Sequence, residues 1–523
     1  MYTKERTLQA KIDDDGSVHY SSVTSPSDCS IAVCHMVSDH YIPVIFVPGV
    51  MGTNLRSNSE PPTPVWMVDS QLKVVWDWAG RGSERRKSLL DPQATDVYTD
   101  GKLPSGMNLN DDELKRRGWG EVAFMSYGPF FKALQTALND VGAWESGHRA
   151  ELMKETAVEP LGVPPLTLTE VASSYRYQLP LHAVGYNWLG SNTDSAQRLQ
   201  QKIEEFKSYY VSKGFKCDSV ILLTHSMGGL VSRFYSECLG GNAQVAGVVH
   251  GVMPATGSAT AYKRVKAGTE LPAGIALGLN AAQMTAVFAQ SPGPLQLLPT
   301  PEYGMDWLKI RDGENVFTLP KADPYVEIYA ARGRWWSLCD ENLINPLDVE
   351  KKNLDSDWSA FARLITESVM TFHKRLAGED GTGLYHRNTY AFYGDDVDHA
   401  TWGDVVWERD IPILTRMFGS SSAIDDPASG EVLKDRGYGY QTLSQVAGGK
   451  LIKAMFKMQA AGENGDGTVP IRSGKAPTPK AAVCLGYSGV DHEGAYKKPI
   501  QQSFALWAIT KIADSVHSSE HGC

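Results

Sequence analysis

Ser226 stands where a nucleophile would. The run Val220-Ile221-Leu222-Leu223-Thr224-His225 is β-branched and leucine-rich, stops at Ser226, and gives way to Met227-Gly228-Gly229 and helical spacing over residues 230–239. Strand, sharp turn and helix in that order expose a serine hydroxyl. The turn lifts it clear of the sheet, and the helix start turns free N–H groups toward the oxyanion formed when an acyl carbonyl is attacked. Met227, directly after the serine, is the expected first oxyanion donor.

A serine hydroxyl needs a general base at neutral pH, and the base needs an acid to fix its tautomer. Around this kind of elbow the chain order is serine, acid, histidine. His225 precedes the serine and is set aside, while His250, His373, His386 and His399 come before Asp466. His517 and His521 sit in a polar tail. His492, in Ser488-Gly489-Val490-Asp491-His492-Glu493-Gly494, follows the last expected strand and is read as the base. Two sites compete for the acid: Asp466 in Gly465-Asp466-Gly467-Thr468-Val469-Pro470, and Asp395/Asp396 directly after the strand at residues 389–393. Aspartate beside glycine also caps turns, so residue type does not separate them. A second oxyanion N–H is expected from Pro48-Gly49-Val50-Met51-Gly52, a glycine-bearing turn after an early strand.

The elements that must carry these groups alternate. Strands are expected at residues 41–48, 181–186, 220–225, 245–252, 389–393 and 481–485. Helices are expected at 127–141, 195–213 (stripe Leu199, Ile203, Phe206, Tyr210) and 502–515. Strand–helix alternation with glycine-rich turns at strand ends predicts a mostly parallel sheet covered on both faces. Residues 1–40 read as an irregular arm, 41–254 and 386–515 as two parts of one core, and 516–523 as a tail. The core is interrupted by a helical cap at 255–385 and a second excursion at 395–460. The cap holds a small-residue apolar segment (271–290) and an amphipathic helix (358–376, with Phe361, Ile365, Val369 and Phe372). A Trp-bearing strand pair is expected at Val65-Trp66-Met67-Val68 and Val74-Val75-Trp76.

Composition narrows the function. A net charge of −10 argues against nucleic acid and against electrostatic capture by anionic lipid, leaving apolar and aromatic side chains to make any membrane contact. The seven scattered cysteines lack metal-ligand spacing and read as reduced thiols. The first fifteen residues are polar with no apolar h-region, so synthesis in the cytoplasm without a Sec signal peptide is expected.

Four motifs, in order, carry a family resemblance: Val47-Pro48-Gly49-x-x-Gly52-x-x-Leu55, Gly185-Tyr186-Asn187-Trp188, His225-Ser226-Met227-Gly228 and Gly465-Asp466-Gly467-Thr468-Val469-Pro470. Together they resemble the lecithin:cholesterol acyltransferase-like lipases, a group that includes lysosomal phospholipase A2. The resemblance implies an α/β-hydrolase fold, assigns the acid to Asp466 and places the second oxyanion donor at Val50. Thr224 departs from the family's Gly or Ala and is expected to crowd the turn, and Asn187 departs from the family's Asp. The family's lumenal disulfides are missing, and in that respect the chain looks like the type VI secretion lipase effectors.

The reading is therefore a serine lipase or phospholipase acting on membrane glycerophospholipids through Ser226, His492 and Asp466, with Val50 and Met227 as oxyanion donors and residues 255–385 as a lid. It uses no cofactor and no metal. Asp395, Asp396 and Asp398 offer carboxylates to Ca²⁺ but read as a solvated loop. The effector resemblance implies a cognate immunity protein, a secretion-machinery carrier and action in a target cell's periplasm or membrane. An acyltransferase that passes the acyl group to an alcohol, and a non-catalytic lipid-binding module, are the alternatives.

Overall fold

The computed structural model describes residues 4–8, 10–12, 18–21, 30–34, 38–68, 77–140, 146–270, 273–411 and 423–520. The expected strand at Val74-Val75-Trp76 and the tail residue His521 lie outside them.

Six strands form the central sheet: β1 (Val44–Val47), β2 (Leu181–Ala183), β3 (Val220–His225), β4 (Val245–Gly251), β5 (Thr389–Gly394) and β6 (Val483–Tyr487). Their order is β2-β1-β3-β4-β5-β6, and every neighbouring pair is parallel. This is the mostly parallel sheet the alternation predicts, in the α/β-hydrolase fold the family resemblance implies. The strands are mostly apolar because both faces are covered. Val44, Phe46, Ile221 and Leu223 point into one apolar cluster, with the helices α1 (Phe124–Leu138) and α4 (Pro499–Glu520). Ile45, Val47, Val220 and Leu222 point into the other, with α2 (Asn192–Ser212) and α3 (Met227–Arg233). The alternation follows from the two-residue period of a strand. On α2 the expected stripe Leu199, Ile203, Phe206 and Tyr210 is buried, and Ser191 caps the helix by accepting from the Thr193 amide.

The two insertions are not separate. Strands Leu308–Asp312 and Asn315–Leu319 from the first join Val405–Arg409, Glu431–Asp435, Tyr440–Ala447 and Lys450–Met458 from the second in another six-stranded sheet. The join is the parallel pairing of Leu308 with Val405. The cap is therefore mixed, not all-helical: its core gathers Trp407, Leu443 and Phe456 from the sheet, with Trp307 just before its strand, into one cluster with Phe361, Ile365 and Val369. Those last three come from the expected amphipathic helix, which passes through a π-type turn at Leu364–Val369. One turn later Phe372 stacks on Phe234 of the central core, with ring centroids 5.0 Å apart. One apolar stripe thus fastens the cap to the core. The N-terminal arm, expected to be irregular, carries two strand pairs, Lys4–Leu8 with Ser30–Cys34 and Ala10–Ile12 with Val18–Tyr20.

Candidate active site

β3 delivers Ser226 to the carboxyl edge of the sheet, beside the middle of the strand order. Its φ of 52° and ψ of −124° are strained for a residue with a Cβ, at a cost of order 1–3 kcal/mol. Packing holds the strain in place. The Ser226 amide donates to Gly251 O at the end of β4 (2.9 Å), and the Ser226 carbonyl accepts from Gly229 N (2.9 Å). The two glycines that follow are steric requirements. A Cβ at Gly228 would lie 2.2 Å from Val47 O, and one at Gly229 would lie 2.6 Å from the Met253 sulfur. Thr224 does not crowd the turn as expected. Its hydroxyl lies 2.9 Å from Nδ1 of His250, its partner on β4, so the branched side chain is spent between strands.

His492 reaches the serine from the loop after β6. Its Nε2 lies 2.8 Å from Ser226 Oγ, and its Nδ1 lies 2.8 Å from Asp466 Oδ2. Asp466 is almost fully buried, and its other oxygen accepts from the Thr468 and Val469 amides at 2.9 and 2.7 Å. The His492 amide donates to the Asp466 carbonyl (2.9 Å), so the two residues are tied through backbone as well. The competing carboxylates are engaged elsewhere. Asp395 accepts from Asn464, and Asp396 lies 2.9 Å from His399 Nδ1. Asp395, Asp396 and Asp398 do not form a metal-holding group among the described residues.

The turn after β1 lies over the serine. A Cβ at Gly49 would sit 2.8 Å from His225 Nδ1 and 3.0 Å from Ser226 Cβ. The turn closes through Gly52 N to Gly49 O (3.0 Å), with Met51 at φ 65°, a bond that leaves the Val50 amide out of the turn. Met227 is the first residue of α3, where helix geometry supplies no acceptor for its N–H. Tyr186, from the second motif, donates its hydroxyl to Pro48 O (2.7 Å) and braces the turn. Asn187 donates to the carbonyls of Pro92 and Thr95 and accepts from the Leu189 amide. A carboxylate could not make the donations, so the departure from the family's Asp serves a loop staple.

Two buried residues that sequence reasoning passed over complete the surroundings. Tyr127 Oη lies 2.9 Å from His225 Nδ1, and His225 Nε2 lies 2.8 Å from the His492 carbonyl. Burial pushes the His225 imidazole down to about 3, so it is neutral. The available signal was a histidine closing an otherwise apolar strand, because a buried imidazole needs partners. Met227, Leu230 and Met253 share an apolar cluster with Ala276, Leu277, Met284 and Val287 of the cap, so the ground beside the elbow is hydrocarbon-like. The arrangement offers a hydroxyl with a proton acceptor, a buried carboxylate behind that acceptor, the Val50 turn and the Met227 helix start beside the serine, and an apolar floor. That combination suits attack on the carbonyl of a fatty acyl ester.

Comparison with known proteins places the chain beside one family and one solved structure. The family model for lecithin:cholesterol acyltransferase matches residues 169–375. The crystal structure of a Tle4–Tli4 complex contains a chain 31% identical to this one, covering 90% of this chain and 98% of its own, with a TM-score of 0.73. A phospholipase, PlaB from Legionella pneumophila, overlays at 11% identity over 66% of this chain and 91% of its own, with a TM-score of 0.15, and bears on neither fold nor chemistry. No curated protein matches the sequence at a significant level.

Proposed function

The chain belongs to the family of Tle4 among the lecithin:cholesterol acyltransferase-like lipases, enzymes of lipid acyl esters, and we propose that it hydrolyses the acyl esters of membrane glycerophospholipids. The observation that carries this reading is the line from Ser226 Oγ through the His492 ring to Asp466, with both bonds at 2.8 Å. His492 Nε2 takes the serine proton as Oγ attacks the ester carbonyl. The Val50 and Met227 amides receive the oxyanion, and the alcohol leaves with the proton His492 returns. Water, activated by the same imidazole, then releases the fatty acid. Asp466 keeps the Nδ1 proton facing itself and stabilises the imidazolium. No step calls for a metal or cofactor.

The cap acts as a lid in this reading. Segment 273–288 packs on the cluster that holds Met227, and Ser226 is only 3% exposed, so a lipid reaches the serine after this segment moves. Among the described residues no helix is long and apolar enough to cross a membrane. Relationship to a chain solved as a Tle4–Tli4 complex supports a cognate inhibitory partner here, delivery by a type VI secretion carrier, and action on a target cell's membrane.

The test is product analysis with vesicles of phosphatidylcholine labelled in one acyl chain. The purified protein should release labelled fatty acid, and Ser226→Ala should release none. Added long-chain alcohol separates hydrolysis from transfer: label moving wholly into the alcohol ester would make the enzyme an acyltransferase. Unchanged release by Ser226→Ala would overturn the reading and leave a lipid-binding module.

A further inference from the structure

The first turn of α1 bonds to the turn after β1, to the residue before Ser226 and to the loop that carries His492. The directions of its hydrogen bonds are forced. His225 Nε2 faces a carbonyl oxygen, that of His492, and must carry the ring's proton (2.8 Å). Its Nδ1 is then an acceptor, so the Tyr127 hydroxyl must donate to it (2.9 Å). The Tyr127 oxygen is left to accept, and the Gly49 amide points at it (3.3 Å). One directed path thus runs from the turn carrying Val50, through Tyr127 and the residue before the nucleophile, to the backbone of the base.

A second contact fastens the same two elements. Ser126 donates its hydroxyl to Glu493 Oε1 (2.7 Å), so neighbours on α1 hold neighbours on the base loop. The oxyanion turn is fixed from this side too: the Ala123 amide donates to Gly52 O (2.9 Å). Tyr127 is buried, with its ring 4.7 Å from Phe46 and 5.6 Å from the His225 ring between centroids. Polar groups at this depth hold a single arrangement when all are satisfied.

We propose that Tyr127 and His225 are positioning residues for the reaction, setting the distance between the oxyanion donor at Val50 and the base His492 by tying both loops to the strand end that carries Ser226. This rests on the hydrolase reading above. The path acts on geometry in the transition state and makes no contact with substrate, so its loss should lower kcat and leave KM in place.

The experiment compares Tyr127→Phe, His225→Leu and His225→Gln with the wild type on a soluble short-chain ester, alongside the rate of phosphonylation by an alkyl fluorophosphonate. Tyr127→Phe, which removes one oxygen, is expected to lower kcat and the phosphonylation rate together by about tenfold or more, with KM within about twofold. His225→Leu is expected to fall further. His225→Gln, which keeps an N–H in reach of the His492 carbonyl, is expected to recover most of the loss. If His225→Leu does not fold, Tyr127→Phe and His225→Gln still read the path. A kcat within about twofold of wild type in Tyr127→Phe, or a loss explained by the unfolded fraction alone, would overturn the proposal. Ser226→Ala, run in parallel, separates the two claims: if it is inactive while Tyr127→Phe is normal, the hydrolase reading stands and the positioning role fails.

Discussion

Gly394 lies against Asp466 so closely that a Cβ on it would meet Asp466 Cβ at 2.7 Å and Gly465 O at 2.8 Å. The end of β5 is therefore the wall against which the acid rests. Its φ is not in the left-handed region, so the demand for glycine here is one of space alone. Gly394→Ala is expected to push the Asp466 loop outward and lower kcat by about 10- to 100-fold, the range for a misplacement near 1 Å. Steady-state kinetics on a short-chain ester checks this, and an unchanged kcat would show that the loop yields without cost.

Thr224 and His250 give a prediction of opposite sign from the one sequence comparison suggests. If the threonine crowded the elbow, Thr224→Ala would stabilise the protein. Because its hydroxyl serves a buried, neutral imidazole, Thr224→Ala is expected to destabilise it by about 1–3 kcal/mol, the cost of an orphaned buried polar group. Urea unfolding midpoints decide between them.

The core was legible because its signals are local. Each of the six strands is a short apolar run ending at a turn, and Ser226, with glycines at 228 and 229, sits on one of them. The cap was not legible as a sheet because its defining pair, Leu308 with Val405, joins segments far apart in sequence, and no local period records a partner. The site divided the same way. Chain order and a family motif restricted the choice to His492, which is bonded to the serine, and Asp466, which is bonded to His492, whereas Tyr127 and His225 answer to each other across the fold. A histidine set aside for preceding the serine proves to touch the base through its backbone.

Arg86 is the fastening of the proposed lid. Buried on the helix Ser83–Leu89, it donates to the carbonyls of Ile275 and Ala276 in the lid segment and of Trp78 and Arg81 on the core side. Burial lowers its guanidinium to about 10, so it stays charged at neutral pH. Arg86→Leu is expected to loosen residues 273–277, raising activity on monomeric ester and shrinking the jump in activity at the onset of micelles. Equal losses on monomer and micelle would count against a moving lid.

Acid should weaken the fold before it titrates the buried carboxylates. Burial pushes His225 and His250 down to about 3 and His373 to about 4, below the ordinary 6.5. The unfolded chain therefore binds protons that the folded one refuses. Their contribution is intact above pH 6.5 and is lost as pH falls toward 4, by up to about 2 kcal/mol each at pH 5. Glu121, whose carboxyl burial raises, works the other way, with stability lost as pH rises, but it is one group against five histidines, since burial lowers His182 and His386 as well. Urea midpoints should drop steadily from pH 7 to pH 5, and a flat profile would show that these rings admit protons or water.

The most direct measurement is the mass of the protein after reaction with an alkyl fluorophosphonate, followed by peptide mapping. Wild type should gain one phosphonyl group, on the peptide containing Ser226, and lose fatty-acid release in step. His492→Ala should remain unlabelled over the same time. Labelling at another residue, or full phospholipid hydrolysis after Ser226 is blocked, would contradict the account.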